Sequence, residues 1–260
     1  MTHQPVPLAQ LVAHLDAYLR VREVPDDVNA LNGLQVENSG EIGRVVAAVD
    51  ASLQTIEGLS ARGCMLLVHH GMFWDGNQPV AGRRYRRLRA LFQRDAALYA
   101  AHIPLDLHPE VGNNAVLARQ LGLSGTEWFG LHKGVAIGVT GAAPAELRRR
   151  DALVPALART LGITPDAVRL VPGGPEEVRR IGVITGGAGS AIAEAHAAGC
   201  DTFITGEGAA HTYFDAMELG VNVLYAGHYA TETVGVQALA RHLSERFSLP
   251  WEFHDHPTGM

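Results

Sequence analysis

Eight residues of this chain have the types and spacings for metal chemistry. His69 and His70 are adjacent, His102 precedes Asp106 by four residues, Glu207 precedes His211 by four, and His228 precedes Glu232 by four. Neutral imidazoles and carboxylates together suit Zn, Fe, Mn, Co or Ni. Adjacent histidines leave an extended backbone in opposite directions, so His69 and His70 serve two ions better than one. Two ions about 3.5–4 Å apart need bridging carboxylates, which Asp106 and Glu232 could supply. A spacing of four puts both members of a pair on one face of a helical turn. His102 has a second reading as a hydrogen-bonded histidine at a strand end. Glu207 and His211 stay open between ligands, an acid/base pair and groups that orient ligands; a capping acid and a solvated helix histidine are the plainer alternative.

The frame that must position these residues is duplicated. RVVAAVDASLQTIEGLSARGC (residues 44–64) aligns without a gap on RIGVITGGAGSAIAEAHAAGC (residues 180–200). Each copy reads as a strand followed by a helix, the first helix running from Ser52 to near Gly63. A second strand follows at 65–68 or 201–205, a helix at 85–95 or 209–220, and a third strand at 97–101 or 221–227. Alternating strands and helices predict βαβ units with largely parallel sheets and right-handed crossovers. Most of the candidate ligands fall just beyond the carboxyl ends of strands, where α/β folds collect function. The copies are chemically unequal: Thr205, Gly206 and Glu207 stand where the first copy has its histidine pair.

Other segments fill in the frame. A helix is expected over 7–20, a loop over 28–38, and helices over 111–122, 145–162 and 231–247. Strands are expected over 132–141, 168–171 and through 251–256. GGAGS (186–190) sits at a strand-to-helix turn but lacks the Lys-Ser/Thr of a P-loop, so a tight turn is favoured over a phosphate cradle. GRRYRRLR (82–89) reads as a solvated helix face that could receive substrate phosphates if it faced the site.

Composition bounds the rest. At 260 residues, 47% hydrophobic and 18% charged, the chain can form two globular domains with ample cores. A net charge of −6 disfavours a general nucleic-acid binder. A DNA-interacting ring would need Arg83, Arg84, Arg86 and Arg87 to line a channel. All but one of the 21 basic side chains are Arg, the exception being Lys133. Cys64 and Cys200 occupy equivalent positions in the two copies and read as small buried residues in a reducing, cytoplasmic protein. The N-terminal segment has no signal-peptide pattern, and no apolar run approaches the roughly 18 residues of a membrane span.

NGLQVE near the N-terminus, VHHGMFW, AAHIPLDLHPEVGNNAVLA, TGEGAAH and GHYATETVGVQAL occur in that order. Together they resemble the NIF-three-like dinuclear-metal proteins, whose bacterial members are often labelled GTP cyclohydrolase 1 type 2 homologues. The resemblance runs from about residue 28 to the end. It implies two related three-layer α/β/α domains, a dinuclear metal site in the cleft between them, and a toroidal homohexamer. The expected domains are 1–127 and 128–260, with the segment from about 229 returning to the first, and no inserted middle domain. The resemblance makes His69, His70, His228 and Glu232 ligands and Asp106 a bridging ligand. Glu207 matches the family's TGE acid, with His102 and His211 near the site. Glu207 and His211 are the candidate catalytic pair, and His102 a candidate supporting residue. The expected cofactors are two divalent transition-metal ions per chain. The expected function is metal-dependent hydrolysis of a nucleotide-like or phosphate-containing compound; the alternative is a non-catalytic metal-binding, metal-delivery or regulatory scaffold.

Overall fold

The computed structural model describes residues 4–60 and 62–260. Residues 1–3 of the N-terminal segment, and Ala61 within the expected helix over 52–63, lie outside the described residues. The elements run β1 (Val6–Pro7), α1 (Leu8–Tyr18), β2 (Gly33–Val36), β3 (Glu41–Ile42), β4 (Arg44–Asp50), α2 (Leu53–Glu57), β5 (Cys64–His70), α3 (Gly82–Arg94), β6 (Ala97–Ala100) and α4 (Ile103–Asp106). They continue as α5 (Asn113–Gln120), β7 (Ser124–His132), β8 (Val135–Ala142), α6 (Arg150–Leu161), β9 (Arg169–Pro172), β10 (Arg180–Val183), α7 (Ile192–Ala197) and β11 (Thr202–Thr205). The last are α8 (Thr212–Leu219), β12 (Asn222–Tyr225), α9 (His228–Thr231), α10 (Thr233–Phe247) and β13 (Trp251–Phe253).

The chain forms two compact units. The first takes the residues up to Val111 together with Val236–His256; the second takes Gly112–Gly235 and Pro257–Met260.

The first unit holds a five-stranded sheet in the order β13-β4-β5-β6-β2. β13, β4, β5 and β6 are parallel, and β2 closes the edge antiparallel to β6. Successive side chains of a strand point to opposite faces, and here both faces are covered. Val45, Ala47, Met65, Leu67, Ala97 and Tyr99 pack into one core with Leu8, Leu11 and Leu15 of α1 and with Val236, Leu239 and Leu243 of α10. Val46, Ala48, Leu66, Val68, Leu98 and Ala100 pack into the other with Ile56 of α2 and Leu91 of α3. This is a three-layer α/β/α arrangement. Burial of each α1 leucine stabilises the unit by roughly 1.5–3 kcal/mol, and their spacing of three and four places them in one stripe.

The second unit repeats the plan. Its sheet runs β7-β8-β10-β11-β12-β9. β10, β11 and β12 are parallel, and β9 closes the edge antiparallel to β12, as β2 does to β6. α7 packs on β7 and β11, and α8 on β9 and β12. α5 contacts β8 and β10, and α6 contacts β9.

Three local expectations are corrected. The segment 28–38, expected as a loop, contains β2, an edge strand whose burial does not alternate cleanly. The helix expected from Ser52 to near Gly63 ends at Glu57 with Gly58 as its cap; glycine is a poor helix former. Ser52 does cap this helix, accepting from Thr55 N at 3.0 Å. β7 was not expected, because Ser124–Trp128 are exposed and show no apolar alternation. It joins β8 through Lys133 and Gly134, both at positive φ (47° and 86°), as a two-residue hairpin requires.

Candidate functional site

In the first unit the candidate residues gather at the carboxyl ends of the parallel strands. His69 and His70 end β5, Asp50 ends β4, and His102 follows β6. The rings of His69 and His70 leave the strand on opposite faces yet stand 4.7 Å apart between centroids. His102 lies 5.0 Å from His69 and 5.7 Å from His70. One ring nitrogen from each of the three falls within 4.8 Å of the others.

Each of these imidazoles is anchored at Nδ1. His69 Nδ1 donates to the Ala101 carbonyl at 2.9 Å. His70 Nδ1 donates to Asp50 Oδ1 at 3.0 Å. His102 Nδ1 donates to Asp26 Oδ1 at 2.9 Å. With Nδ1 protonated and engaged, a neutral ring keeps its lone pair on Nε2, and the acceptor also fixes the ring's orientation. Asp26 is itself held by Asn32 at 2.8 Å and by the Ile103 N–H at 3.0 Å. Burial raises its carboxyl, but the hydrogen bonds from His102 and Asn32 outweigh this and hold it down at about 2. Asp106, 7% exposed at the end of α4, places Oδ2 3.7 Å from His69 Nε2.

The loop after β5 completes this part. Trp74 stands edge-on to His102 at 5.0 Å and to His70 at 6.1 Å. Gln35 of β2 accepts from Met72 N at 3.0 Å. A Cβ on Gly71 would lie 2.1 Å from the Gln35 amide nitrogen, so glycine permits the close approach. Asn32 accepts from the His102 N–H at 2.7 Å. The NGLQ segment thus braces the histidine cluster.

In the second unit the corresponding strand ends carry Gly186, Glu207 and His228. His228 lies between two carboxylates: Nδ1 is 2.9 Å from Glu207 Oε1, and Nε2 is 3.2 Å from Glu232 Oε1. Glu232, 3% exposed, is the stronger influence. Its hydrogen bond, opposed by burial and reinforced by Glu207, raises the His228 imidazolium to about 9. Glu207 has the geometry of an orienting acid. His211, the other half of the candidate catalytic pair, is exposed, and its side chain makes no hydrogen bond or ion pair among the described residues.

The model of the DUF34/NIF3 family (NGG1p interacting factor 3) matches residues 6–258. The chain belongs to the DUF34/NIF3 family. A GTP cyclohydrolase 1 type 2 homolog from Deinococcus radiodurans is 46% identical, over 96% of this chain and 94% of its own length. A protein of the same name from Pyrococcus abyssi is 43% identical, over 96% and 98%. The crystal structure of TTHA1606 from Thermus thermophilus matches with a TM-score of 0.85 at 41% identity, covering 98% of this chain and 100% of that one.

The donor set of this DUF34/NIF3 chain fits divalent cations. The His69 Nε2 lone pair and the Asp106 carboxylate face one another in a buried place. Two electron-rich atoms so placed need a proton or a cation between them. Gly186 gives a second indication. It has φ +71°, and a Cβ there would sit 2.3 Å from Glu232 Oε1 and 3.3 Å from His228 Nε2. Only glycine lets this turn lie against both groups.

The same turn is not a phosphate cradle. The N–H groups of Gly186, Ala188 and Gly189 go to Thr231 Oγ1, Thr205 Oγ1 and the Glu207 carbonyl. The tight-turn reading of GGAGS therefore describes its hydrogen bonding, while its glycines shape the ligand pair. In the basic helix α3, Arg84 pairs with Asp75 and lies over Phe73 at 5.2 Å. Asn32 and Gln35 lie in the NGLQVE motif, to which the sequence alone assigns no role, and nothing in the sequence marks Asp26 or Asp50 as a partner of the histidines.

Proposed function

We propose that this protein is a two-metal hydrolase acting on a nucleotide-like or phosphate-containing compound. The observation that carries the proposal is the gathering of His69, His70 and His102, one ring nitrogen of each within 4.8 Å of the others, with every ring oriented by a hydrogen bond at Nδ1. In this reading His69, His70, Asp106, His228 and Glu232 are the metal ligands. His102 joins them as a ligand or braces the histidine pair. Bound divalent ions would supply Lewis acidity and an activated water.

The protein's own residues position the rest. Asp50 and Asp26 fix the rings of His70 and His102. Glu207 fixes His228 and is half exposed, so it can also exchange a proton with a substrate. Burial of Asp106 and Glu232 keeps these carboxylates out of bulk solvent. The relatives named as GTP cyclohydrolase 1 type 2 homologs support a nucleotide-like substrate class. Assembly as a toroidal homohexamer in the cytoplasm belongs to the same proposal; no helix among the described residues is long and apolar enough to cross a membrane.

The test is a screen of metabolite mixtures with metal-loaded protein, followed by the same assay after chelation. The proposal expects a consumed phosphate-containing compound whose turnover stops with the metal removed. Turnover that survives complete chelation contradicts it.

A further inference from the structure

Beside Glu207 the second unit contains a cavity of about 220 Å³. Its lining includes Arg169, Val171, Glu207, Thr212, Tyr213 and Tyr225. The sheet dictates this placement. Arg169 of β9 and Tyr225 of β12 are direct register partners, and Val171 is opposite Val223. Residues directly opposite in an antiparallel pair project from the same face with their Cβ atoms roughly 4.5–5.5 Å apart. Arg169 and Tyr225 therefore stand side by side, with Val171 two residues along on the same face.

Three properties give the cavity a chemical preference. The exposed Arg169 side chain makes no hydrogen bond or ion pair among the described residues, so its planar fork of donors is open to an oxyanion. The Tyr225 ring is fixed. Thr212 Oγ1 donates to the Ala209 carbonyl at 2.7 Å, so the 2.6 Å contact between the two hydroxyls has Tyr225 as donor. Gly208 lets the loop after β11 lie on that ring, since a Cβ there would be 2.7 Å from Tyr225 Cε1. Tyr213, 44% exposed, adds a second aromatic surface. Glu207, the other charged group in the lining, has its Oε1 engaged by His228 at 2.9 Å. In the first copy Leu34 stands opposite Tyr99 where the second has Arg169 opposite Tyr225, so the first copy has no counterpart of this cation.

We propose that this cavity is the substrate-recognition subsite, with Arg169 holding an oxyanion group and Tyr225 and Tyr213 flanking the planar ring that carries it. The role as a substrate subsite rests on the two-metal reading; binding itself does not. The ligand class is an aromatic or heteroaromatic ring bearing a phosphate or carboxylate. Arg169 is a specificity-determining residue in this proposal.

The test uses full-length protein, metal-stripped and metal-loaded, titrated with phenyl phosphate, benzoate and phenol. Binding is followed by calorimetry and by the ring resonances of labelled tyrosine. Phenyl phosphate should bind the metal-stripped protein, shift Tyr213 and Tyr225, and bind more tightly than phenol. Arg169→Gln should weaken it about 10- to 100-fold, the loss expected for hydrogen bonds to a charged group, with Arg169→Lys in between. Comparable binding of benzoate would assign the site to carboxylates as well; its absence would restrict it to phosphates. Phenyl phosphate affinity unchanged in Arg169→Gln, or no binding to metal-stripped wild type at about 10 mM (far weaker than the roughly 1 mM to 1 μM range of ordinary substrates), overturns the proposal. Since that arm contains no metal, failure of the two-metal reading leaves its result intact.

Discussion

Asp50 and His70 are register partners on adjacent parallel strands, and the Asp50 carboxylate accepts the His70 Nδ1–H at 3.0 Å. The pairing of β4 with β5 thus sets the orientation of a candidate metal ligand. An acid in this position fixes the tautomer and the orientation of the ring.

Asp50→Ala should therefore weaken metal binding by about 10- to 100-fold while leaving the far-UV circular dichroism unchanged. Competition titration against a chelator measures it. Unchanged affinity would show that Asp50 has no part in orienting His70.

Gly186→Ala places a methyl group where Glu232 Oε1 lies 2.3 Å away, at a backbone φ of +71°. The strained conformation alone costs about 1–3 kcal/mol. We expect metal retention to fall further than stability, because the displaced groups are Glu232 and His228. Equilibrium denaturation and metal analysis of the same sample separate the two effects. Full metal retention would mean that the turn yields without moving the ligands.

How far the sequence could be read follows from these residues. The ends of β5 and β12 were legible because short apolar runs lead directly into His69–His70 and His228. The repeat was legible because its first 21 residues align without a gap. Asp26 was not legible as a partner of His102, because 76 residues separate them and only loop closure brings them together. β7 was hidden by its exposed face. In sequence Gly186 is indistinguishable from any turn glycine; only the approach of its backbone to Glu232 sets it apart. Patterns of burial reach the sequence; long-range polar partners do not.

A separate cluster predicts acid sensitivity. His14 and His242 share a 2.8 Å hydrogen bond between their Nε2 atoms, and Tyr18 stacks on His242 with centroids 4.1 Å apart. Burial lowers both imidazoles; each lowers further beside Arg246, while Glu110 and Glu245 partly offset this at His242. His108, 4.2 Å from Tyr18, is also lowered by burial. Below about pH 6.5, the ordinary histidine value, the unfolded chain takes up protons that the folded chain resists. Stability from this cluster is thus complete above that pH and declines as pH falls through the lowered folded values. The Tm should drop between pH 7.5 and 5.5, and His14→Gln should flatten the profile. Identical profiles for wild type and variant would contradict this.

Cys64 and Cys200 are both buried free thiols. Burial pushes the Cys64 thiol up to about 11 and also raises Cys200. Neither should react with a thiol reagent in native protein at pH 8, and both should react after denaturation. Rapid labelling of the native protein would refute their assignment as inert core residues.

The most direct test of the two-metal account is the metal content of reconstituted protein, measured by mass spectrometry on wild type, His70→Ala and Glu232→Ala. The account predicts two ions per wild-type chain and loss of most bound metal in either variant, with the fold retained by circular dichroism. Two ions per chain in both variants would contradict it.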